Sequence, residues 1–188
     1  MDLCGRAMIE WVLGEIREIA SEVIIVTTRK NLKGMSKFQS GARVLEDEIP
    51  ALGPLGGVYT GLKHARCKIS LVAPSDTPFI SGDFMKFLVR SLGKHQAVVP
   101  RWPNGYLEAL HVALKTDSAL QAVMEAIESK SLSVRSIFEH LSDVEFVDIE
   151  SLRRYDPQLL TFFNVNTRED LKKARGICER LVCDEGNG

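Results

Sequence analysis

An aspartate in a proline-bounded loop is the first residue of this sequence that could carry chemistry. The segment PSDTP at 74–78 directly follows the apolar run at 69–73. Pro78 disfavours helical geometry at Thr77, so the loop stays open and the Asp76 carboxylate projects from it. A lone carboxylate suits Mg2+, which proteins commonly hold with one or two carboxylates together with substrate phosphates. The alternative is an aspartate that hydrogen-bonds only its own turn.

A glycine-rich segment, GPLGG at 53–57, is the second candidate. Gly53, Gly56 and Gly57 would let the backbone approach a ligand closely, and the start of a helix there leaves amide groups pointing outward. An anion or a ribose could lie against such a surface. No Gly-Lys-Ser/Thr follows, so the segment is not a P-loop. The alternative is a tight turn with a close helix packing contact.

The third candidate is the segment FFNVNT at 162–167. Alternation along an extended chain puts Asn164 and Asn166 on one side, where both amides could donate and accept toward one ligand. Asn166 could instead end the extended segment beside a helix cap at Thr167.

A turn-rich loop, RWPNGY at 101–106, predicts a hairpin, although such a loop could also close over a substrate. The four histidines show no metal-ligand spacing, which favours surface or packing roles. His111 would share its strand face with Ala109 and Ala113, small residues that could leave a groove.

The elements that must position these loops alternate between apolar runs and amphipathic stretches. Helical spacing and caps predict helices at 6–21, 53–65, 81–92, 116–128, 133–140 and 167–181, with Ser81 and Thr167 as N-caps. Short apolar or alternating runs predict strands at 23–26, 42–45, 69–73, 96–100, 107–114 and 144–149. This order predicts an α/β fold, an open and mostly parallel sheet with helices on both faces. Ligands of such sheets bind beyond the carboxyl ends of the strands, where the candidate segments fall.

Composition narrows the class of protein. The 188 residues fit one domain, which we place at 1–188, and the hydrophobic fraction of 45% is that of a globular protein. A net charge of −1 disfavours nucleic acid and anionic membranes as partners. Four scattered cysteines and no signal-peptide pattern favour a reducing cytoplasm.

The three candidate segments, in this order and spacing, resemble the molybdenum cofactor guanylyltransferase family of the Rossmann-like nucleotidyltransferase fold, which sugar-phosphate nucleotidyltransferases share. The resemblance covers essentially the whole chain. Its motifs are LCGRAM at 3–8, VLED at 44–47 ahead of GPLGG, PSDTPFI at 74–80 and FFNVNTREDL at 162–171. The last is the most specific to the molybdopterin branch.

The resemblance implies a nucleotidyltransferase that moves GMP from GTP to a molybdopterin-type cofactor with release of pyrophosphate, and molybdoenzyme apoproteins as further partners. It makes Asp76 the catalytic magnesium ligand and Asp47 a nucleotide contact. It places Gly53, Gly56 and Gly57 in the nucleotide pocket and Asn164 with Asn166 on the pterin side. By composition alone, Asp47 belongs to an acidic run at 46–48 that predicts a solvated loop. A cytidylyltransferase or sugar-phosphate nucleotidyltransferase is the alternative activity.

The chain also departs from the family. Members begin with a strand, a glycine-rich loop bearing a basic residue and then a lysine, all ahead of the position of Met1. We expect that the start codon is placed too far downstream and that the chain is an N-terminally truncated enzyme. The alternative is a non-catalytic nucleotide- or pterin-binding protein without the loop. Either way, the strands next to the missing one would lack a partner, and the exposed sheet edge would favour self-association.

Overall fold

The structure, a computed structural model, describes residues 1–185. Its α-helices are α1 (Met8–Arg17), α2 (Arg29–Leu32), α3 (Pro54–His64), α4 (Gly82–Leu92), α5 (Thr116–Glu128) and α6 (Arg168–Glu185). Its 3-10 helices are Lys33–Phe38, Pro50–Leu52, Val134–Glu139, Ile149–Arg154 and Leu160–Phe162. Its strands are β1 (Asp2–Leu3), β2 (Arg6–Ala7), β3 (Ile24–Thr27), β4 (Arg43–Glu46), β5 (Ile69–Val72), β6 (Ala97–Arg101), β7 (Val112–Lys115) and β8 (Val144–Asp148). The elements alternate as expected, which confirms the α/β class.

The main sheet has the strand order β5-β7-β6-β8 and is mixed. β6 and β8 are parallel, whereas β7 runs antiparallel to both β5 and β6. The sheet is therefore less parallel than the apolar runs suggested. The reversal has a local cause: Trp102 N donates to Tyr106 O over 2.8 Å, so the predicted hairpin turns the chain straight back after β6. The extended stretch predicted at 107–114 shortens to β7, because His111 N donates to Glu108 O and closes a turn.

Helices cover both faces of the main sheet, as predicted. Ala97 and Val99 pack with α3 and α5 on one face, whereas Val98 packs with α1 and α4 on the other. This alternation is the two-residue period of a strand buried on both sides. Ser81 caps α4 as expected, since its hydroxyl oxygen accepts from Phe84 N over 3.2 Å.

The predicted first helix begins later than expected, at Met8 rather than Arg6. The preceding residues form a hairpin in which β1 pairs antiparallel with β2. Cys4 and Gly5 close it with φ of 51° and 78°. A left-handed pair of residues is the geometry of a tight hairpin turn, and helical periodicity does not reveal it.

β3 and β4 form a parallel pair that is separate from the main sheet. The amino ends of β3 and β5 are close, since Arg66 N donates to Glu22 Oε2 over 2.9 Å. α1 bridges the two sheets, with Leu13 packed near β3 and Val12 packed with α4. Within residues 1–185 no strand pairs with both β3 and β5 to join the two sheets, so each of these strands has one unpaired edge. Self-association through such an edge stays a prediction.

Among the helices of residues 1–185, none combines the length and the apolar composition that a membrane crossing requires.

Candidate active site

The Asp76 loop follows β5 and is fixed by its neighbours rather than by Asp76 itself. Thr77 is fully buried, and its hydroxyl donates to Pro74 O over 3.2 Å. Asp76 is half-buried, and no hydrogen bond or ion pair engages its carboxylate within the described part of the chain. The hydrogen bond that closes this turn therefore comes from the Thr77 hydroxyl and not from the Asp76 carboxylate. The carboxylate is left available to a ligand.

The paired asparagines lie directly beside this loop. Val165 is 1% exposed, and its backbone N–H donates to Asp76 O over 2.8 Å. Asn164 and Asn166 are exposed on the opposite side of the extended segment, as the alternation predicts. One backbone hydrogen bond thus joins the aspartate loop to the segment that carries both amides.

The segment ends in a helix cap that uses the backbone of Asn166. The Asp170 carboxylate accepts from Asn166 N, Thr167 N and Thr167 Oγ1 over 3.3, 2.9 and 2.8 Å, while Asp170 N donates to Thr167 Oγ1 over 3.1 Å. The Thr167 hydroxyl first, and then its amide, hold the pKa of Asp170 below its ordinary value. This reciprocal arrangement confirms the predicted Thr167 cap. The cap uses only the backbone N–H of Asn166, and the side chain of this residue stays exposed.

Gly53, Gly56 and Gly57 differ in what the structure requires at each position. Gly53 precedes α3 with φ of 56°, which only glycine adopts readily. A methyl group on Gly56 would collide with the Ile49 carbonyl oxygen and would lie 2.9 Å from Asp47 Oδ1. A methyl group on Gly57 would meet nothing within 4 Å, so this position faces open space. Gly56 answers a packing need, whereas Gly57 borders the space that a ligand could enter.

Asp47 is placed against this glycine segment and is largely engaged. Its backbone N donates to Thr27 O over 2.8 Å, which continues the pairing of β3 with β4. Its Oδ1 accepts from Ile49 N over 2.9 Å and lies 3.5 Å from the buried Thr60 hydroxyl. The carboxylate therefore holds its own turn, in contrast to Asp76. Within residues 1–185 no hydrogen bond or ion pair joins Asp47 or the glycine segment to the Asp76 loop or the asparagine segment.

A magnesium ion fits the Asp76 side of the site. No group of three or more potential metal-ligating side chains occurs in the described residues. A closed cage of protein ligands is therefore not present there. A single half-exposed carboxylate at a sheet edge suits a cation that substrate phosphates and water hold for the most part.

Two surface cavities lie at opposite ends of the strands. The larger, about 460 Å3, is bordered by residues that precede β3, β4 and β5, such as Ser21, Gly41 and Cys67. It is remote from the edge where ligands of such sheets bind. The smaller, about 320 Å3, adjoins the ends of β6 and β8 and is lined by Trp102 and Asp148 among others. Sequence reasoning missed Asp148 because it fell inside the predicted strand at 144–149.

Comparisons with known proteins identify the family of this chain. A family profile described as the MobA-like NTP transferase domain matches residues 1–144. A probable molybdenum cofactor guanylyltransferase of Methanosarcina mazei is 30% identical over 183 residues, which cover 94% of this chain and 81% of the relative. A protein of the same description from Thermococcus kodakarensis is 34% identical over 175 residues, which cover 91% of this chain and 82% of the relative.

Solved structures show the same fold. Molybdopterin-guanine dinucleotide biosynthesis protein A from Archaeoglobus fulgidus superposes with a TM-score of 0.80 at 27% identity, covering 96% of this chain and 89% of that one. A 2-C-methyl-D-erythritol 4-phosphate cytidylyltransferase from Thermus thermophilus superposes with a TM-score of 0.70 at 21% identity, covering 95% of this chain and 92% of that one, and it supports the fold alone. With the profile spanning most of its length and relatives above 30% identity covering nearly all of it, the chain belongs to the MobA-like NTP transferase family.

Proposed function

We propose that this protein is a molybdenum cofactor guanylyltransferase: it transfers GMP from GTP to a molybdopterin-type cofactor and releases pyrophosphate. Family membership and the names of its relatives support the activity. The single observation that carries it for this chain is the hydrogen bond from Val165 N to Asp76 O. It sets an unengaged carboxylate beside two exposed amides at the carboxyl edge of the sheet.

Asp76 would hold the magnesium ion with which GTP enters the site. The bound ion supplies Lewis acidity toward the phosphates and a template for in-line displacement. Asp76 suits this role because its carboxylate has no competing partner in the described residues and its loop is fixed by the buried Thr77. A preorganised ligand needs no rearrangement when the metal nucleotide arrives.

The remaining residues would position the two substrates. Gly57 faces open space at the start of α3, so the nucleotide can approach the backbone there without meeting a side chain. Asp47 would contact the nucleotide through Oδ2, while Oδ1 keeps the turn beside Gly56. Asn164 and Asn166 would bind the acceptor and hold its phosphate oxygen in line with the α-phosphorus of GTP. Such alignment is the main contribution a protein makes to this kind of transfer.

The experiment is a transfer assay with GTP, Mg2+ and molybdopterin, measuring the dinucleotide and pyrophosphate formed. We expect product from GTP in preference to CTP, and loss of at least about 100-fold for Asp76→Ala, since metal-held charge stabilisation is worth several kcal/mol. The 188-residue chain should be compared with the product of the same gene read from any earlier in-frame start. Equal turnover by the Asp76→Ala variant, or no transfer by either form, would contradict the proposal.

A further inference from the structure

The N-terminal hairpin and the last helix bring two of the four cysteines together. Leu3, at the end of β1, is fully buried and packs in one cluster with Cys178, which is 1% exposed on α6. Cys4 follows Leu3 directly, lies at the tip of the hairpin and is exposed. The Cys4 and Cys178 thiols interact through a side-chain hydrogen bond. Two residues separated by almost the whole sequence therefore place their sulfur atoms in contact.

The hairpin is held at its base, while its tip has room to adjust. Trp11 Nε1 donates to Leu3 O over 3.1 Å, which ties β1 to α1. Cys4 and Gly5 form the turn, with φ of 51° and 78°. A methyl group on Gly5 would meet nothing within 4 Å, so the tip borders open space. Small rotations there can bring the two sulfur atoms from contact to the distance of about 2.05 Å that a disulfide bond requires.

The two thiols differ in their access to solvent and in their reactivity. Burial first, and then the hydrogen bond with Cys4, raise the pKa of Cys178 to about 12. The Glu179 carboxylate acts on this pKa in the same direction, whereas the charge of Arg6 opposes it. Because the thiolate is the nucleophile, Cys178 is unreactive toward reagents in solution. Cys4, exposed at the hairpin tip, is the sulfur that such a reagent meets first.

We propose that Cys4 and Cys178 are a redox-responsive pair that a low-molecular-weight disulfide oxidises to an intramolecular disulfide bond. The Cys4 thiolate attacks one sulfur of the reagent, whose S–S bond breaks as the first thiolate leaves. Cys178 then gives up its proton and attacks the Cys4 sulfur of the mixed disulfide, which releases the second thiolate. The protein loses two electrons and two protons, and the reagent gains them as two free thiols. Contact between the two sulfur atoms compensates for the small thiolate fraction of Cys178, as proximity does in intramolecular reactions.

The cross-link would stabilise the fold, and it does not depend on guanylyl transfer. It would close a loop of almost the whole sequence, and the restriction that a disulfide places on the unfolded chain grows with loop length. It would also clamp a cluster next to the candidate site. Val165, whose backbone N–H donates to Asp76 O, packs in this cluster with Leu3 and Cys178. Because the two thiols already touch in the fold, the bond should form without displacing this packing.

The test oxidises the full chain with glutathione disulfide and maps the cysteines by mass spectrometry of a non-reduced digest. We expect a peptide pair joined through Cys4 and Cys178. The melting temperature should rise by about 5–15 °C over that of the reduced chain and should fall back when dithiothreitol is added. Cys4→Ser, at an exposed position, should abolish both the cross-link and the rise. Cys67→Ser, at another exposed cysteine, is the matched control and should keep both.

Cys178→Ala tests the buried partner. This variant should stop at the mixed disulfide, with one glutathione on Cys4, and if it unfolds, the Cys4→Ser and Cys67→Ser variants still decide the question. A wild-type chain that also stops at the mixed disulfide would overturn the proposed pair, and so would a link of Cys4 to Cys67 or Cys183 as the main product. A link between Cys4 and Cys178 that leaves the melting temperature unchanged or lowers it would also overturn the proposal, because the bond would then distort the native packing.

Discussion

The two sides of the candidate site are built differently. Around Asp47 and the glycine segment, polar and packing contacts hold the local fold: Asp47 Oδ1 accepts from Ile49 N, and Gly56 leaves no room for a side chain. Around Asp76 and the asparagine segment, backbone bonds hold the fold and the side chains stay exposed or half-buried. Substitutions at Asp47 and Gly56 should therefore reduce stability, and substitutions at Asp76, Asn164 and Asn166 should reduce function alone.

Gly56→Ala should give the largest effect on stability. The added methyl group would collide with the Ile49 carbonyl oxygen, and overpacking of this kind costs about 1–3 kcal/mol. The free energy of unfolding in urea measures it. Gly57→Ala is the matched control: its methyl group meets nothing, and alanine in a helix is up to about 1 kcal/mol more favourable than glycine. We expect Gly57→Ala to keep or raise the free energy of unfolding and to weaken the binding of GTP. Equal destabilisation by both variants would remove the distinction between the two glycines.

Asn164→Ala and Asn166→Ala should show the opposite pattern. Each removes an exposed amide, so the melting temperature should hold, while the KM for the molybdopterin substrate rises about fivefold to tenfold, the worth of about one hydrogen bond of roughly 1 kcal/mol. The KM for GTP should change less. Asn31→Ala, in α2, is a suitable control. Equal losses for both substrates would end the assignment of the asparagines to the acceptor side.

The cap that ends the asparagine segment should show a smaller, pH-dependent effect. Thr167→Ala should cost about 1 kcal/mol of stability, as the loss of an N-cap does. Asp170 has a pKa lowered in the folded chain by the Thr167 hydroxyl and amide. Its contribution is therefore present above the ordinary value of 3.8 and is lost as the pH falls through the lower native pKa. Thermal unfolding of Asp170→Asn and wild-type chains should accordingly converge at acidic pH. A gap that widens there would contradict the sign.

Much of the fold could be predicted from local pattern. The helix at 116–128 is where its periodicity placed it, and the Ser81 and Thr167 caps follow from residue type alone. The antiparallel direction of β7 relative to β6 could not be predicted from local pattern, because it depends on a hairpin that closes through backbone hydrogen bonds at Trp102. The contact between the Asp47 carboxylate and the Thr60 hydroxyl could not be predicted either, because Thr60 is 13 residues away on α3.

Site residues divide in the same way. Asp76 and the asparagine pair could be singled out as candidates from the sequence, because each directly follows or lies within a segment whose pattern predicts a strand or a loop. Asp148 was not singled out, since its place at the smaller cavity, beside β6, arises only from the register of β6 against β8. Cross-strand register is a tertiary property, and a single sequence carries no direct signal of it.

The central claim is that the Asp76 carboxylate holds a divalent cation against the nucleotide's phosphates. Binding of Mn2+, a paramagnetic substitute for Mg2+, can be followed by electron paramagnetic resonance in the presence of GTP. Asp83→Asn, at an exposed carboxylate ion-paired with Lys86 over 3.3 Å, is the control. We predict that Asp76→Asn weakens binding of the Mn2+–GTP complex at least tenfold with an unchanged melting temperature, and that Asp83→Asn does not. Equal affinity in the Asp76→Asn and wild-type chains would contradict the account.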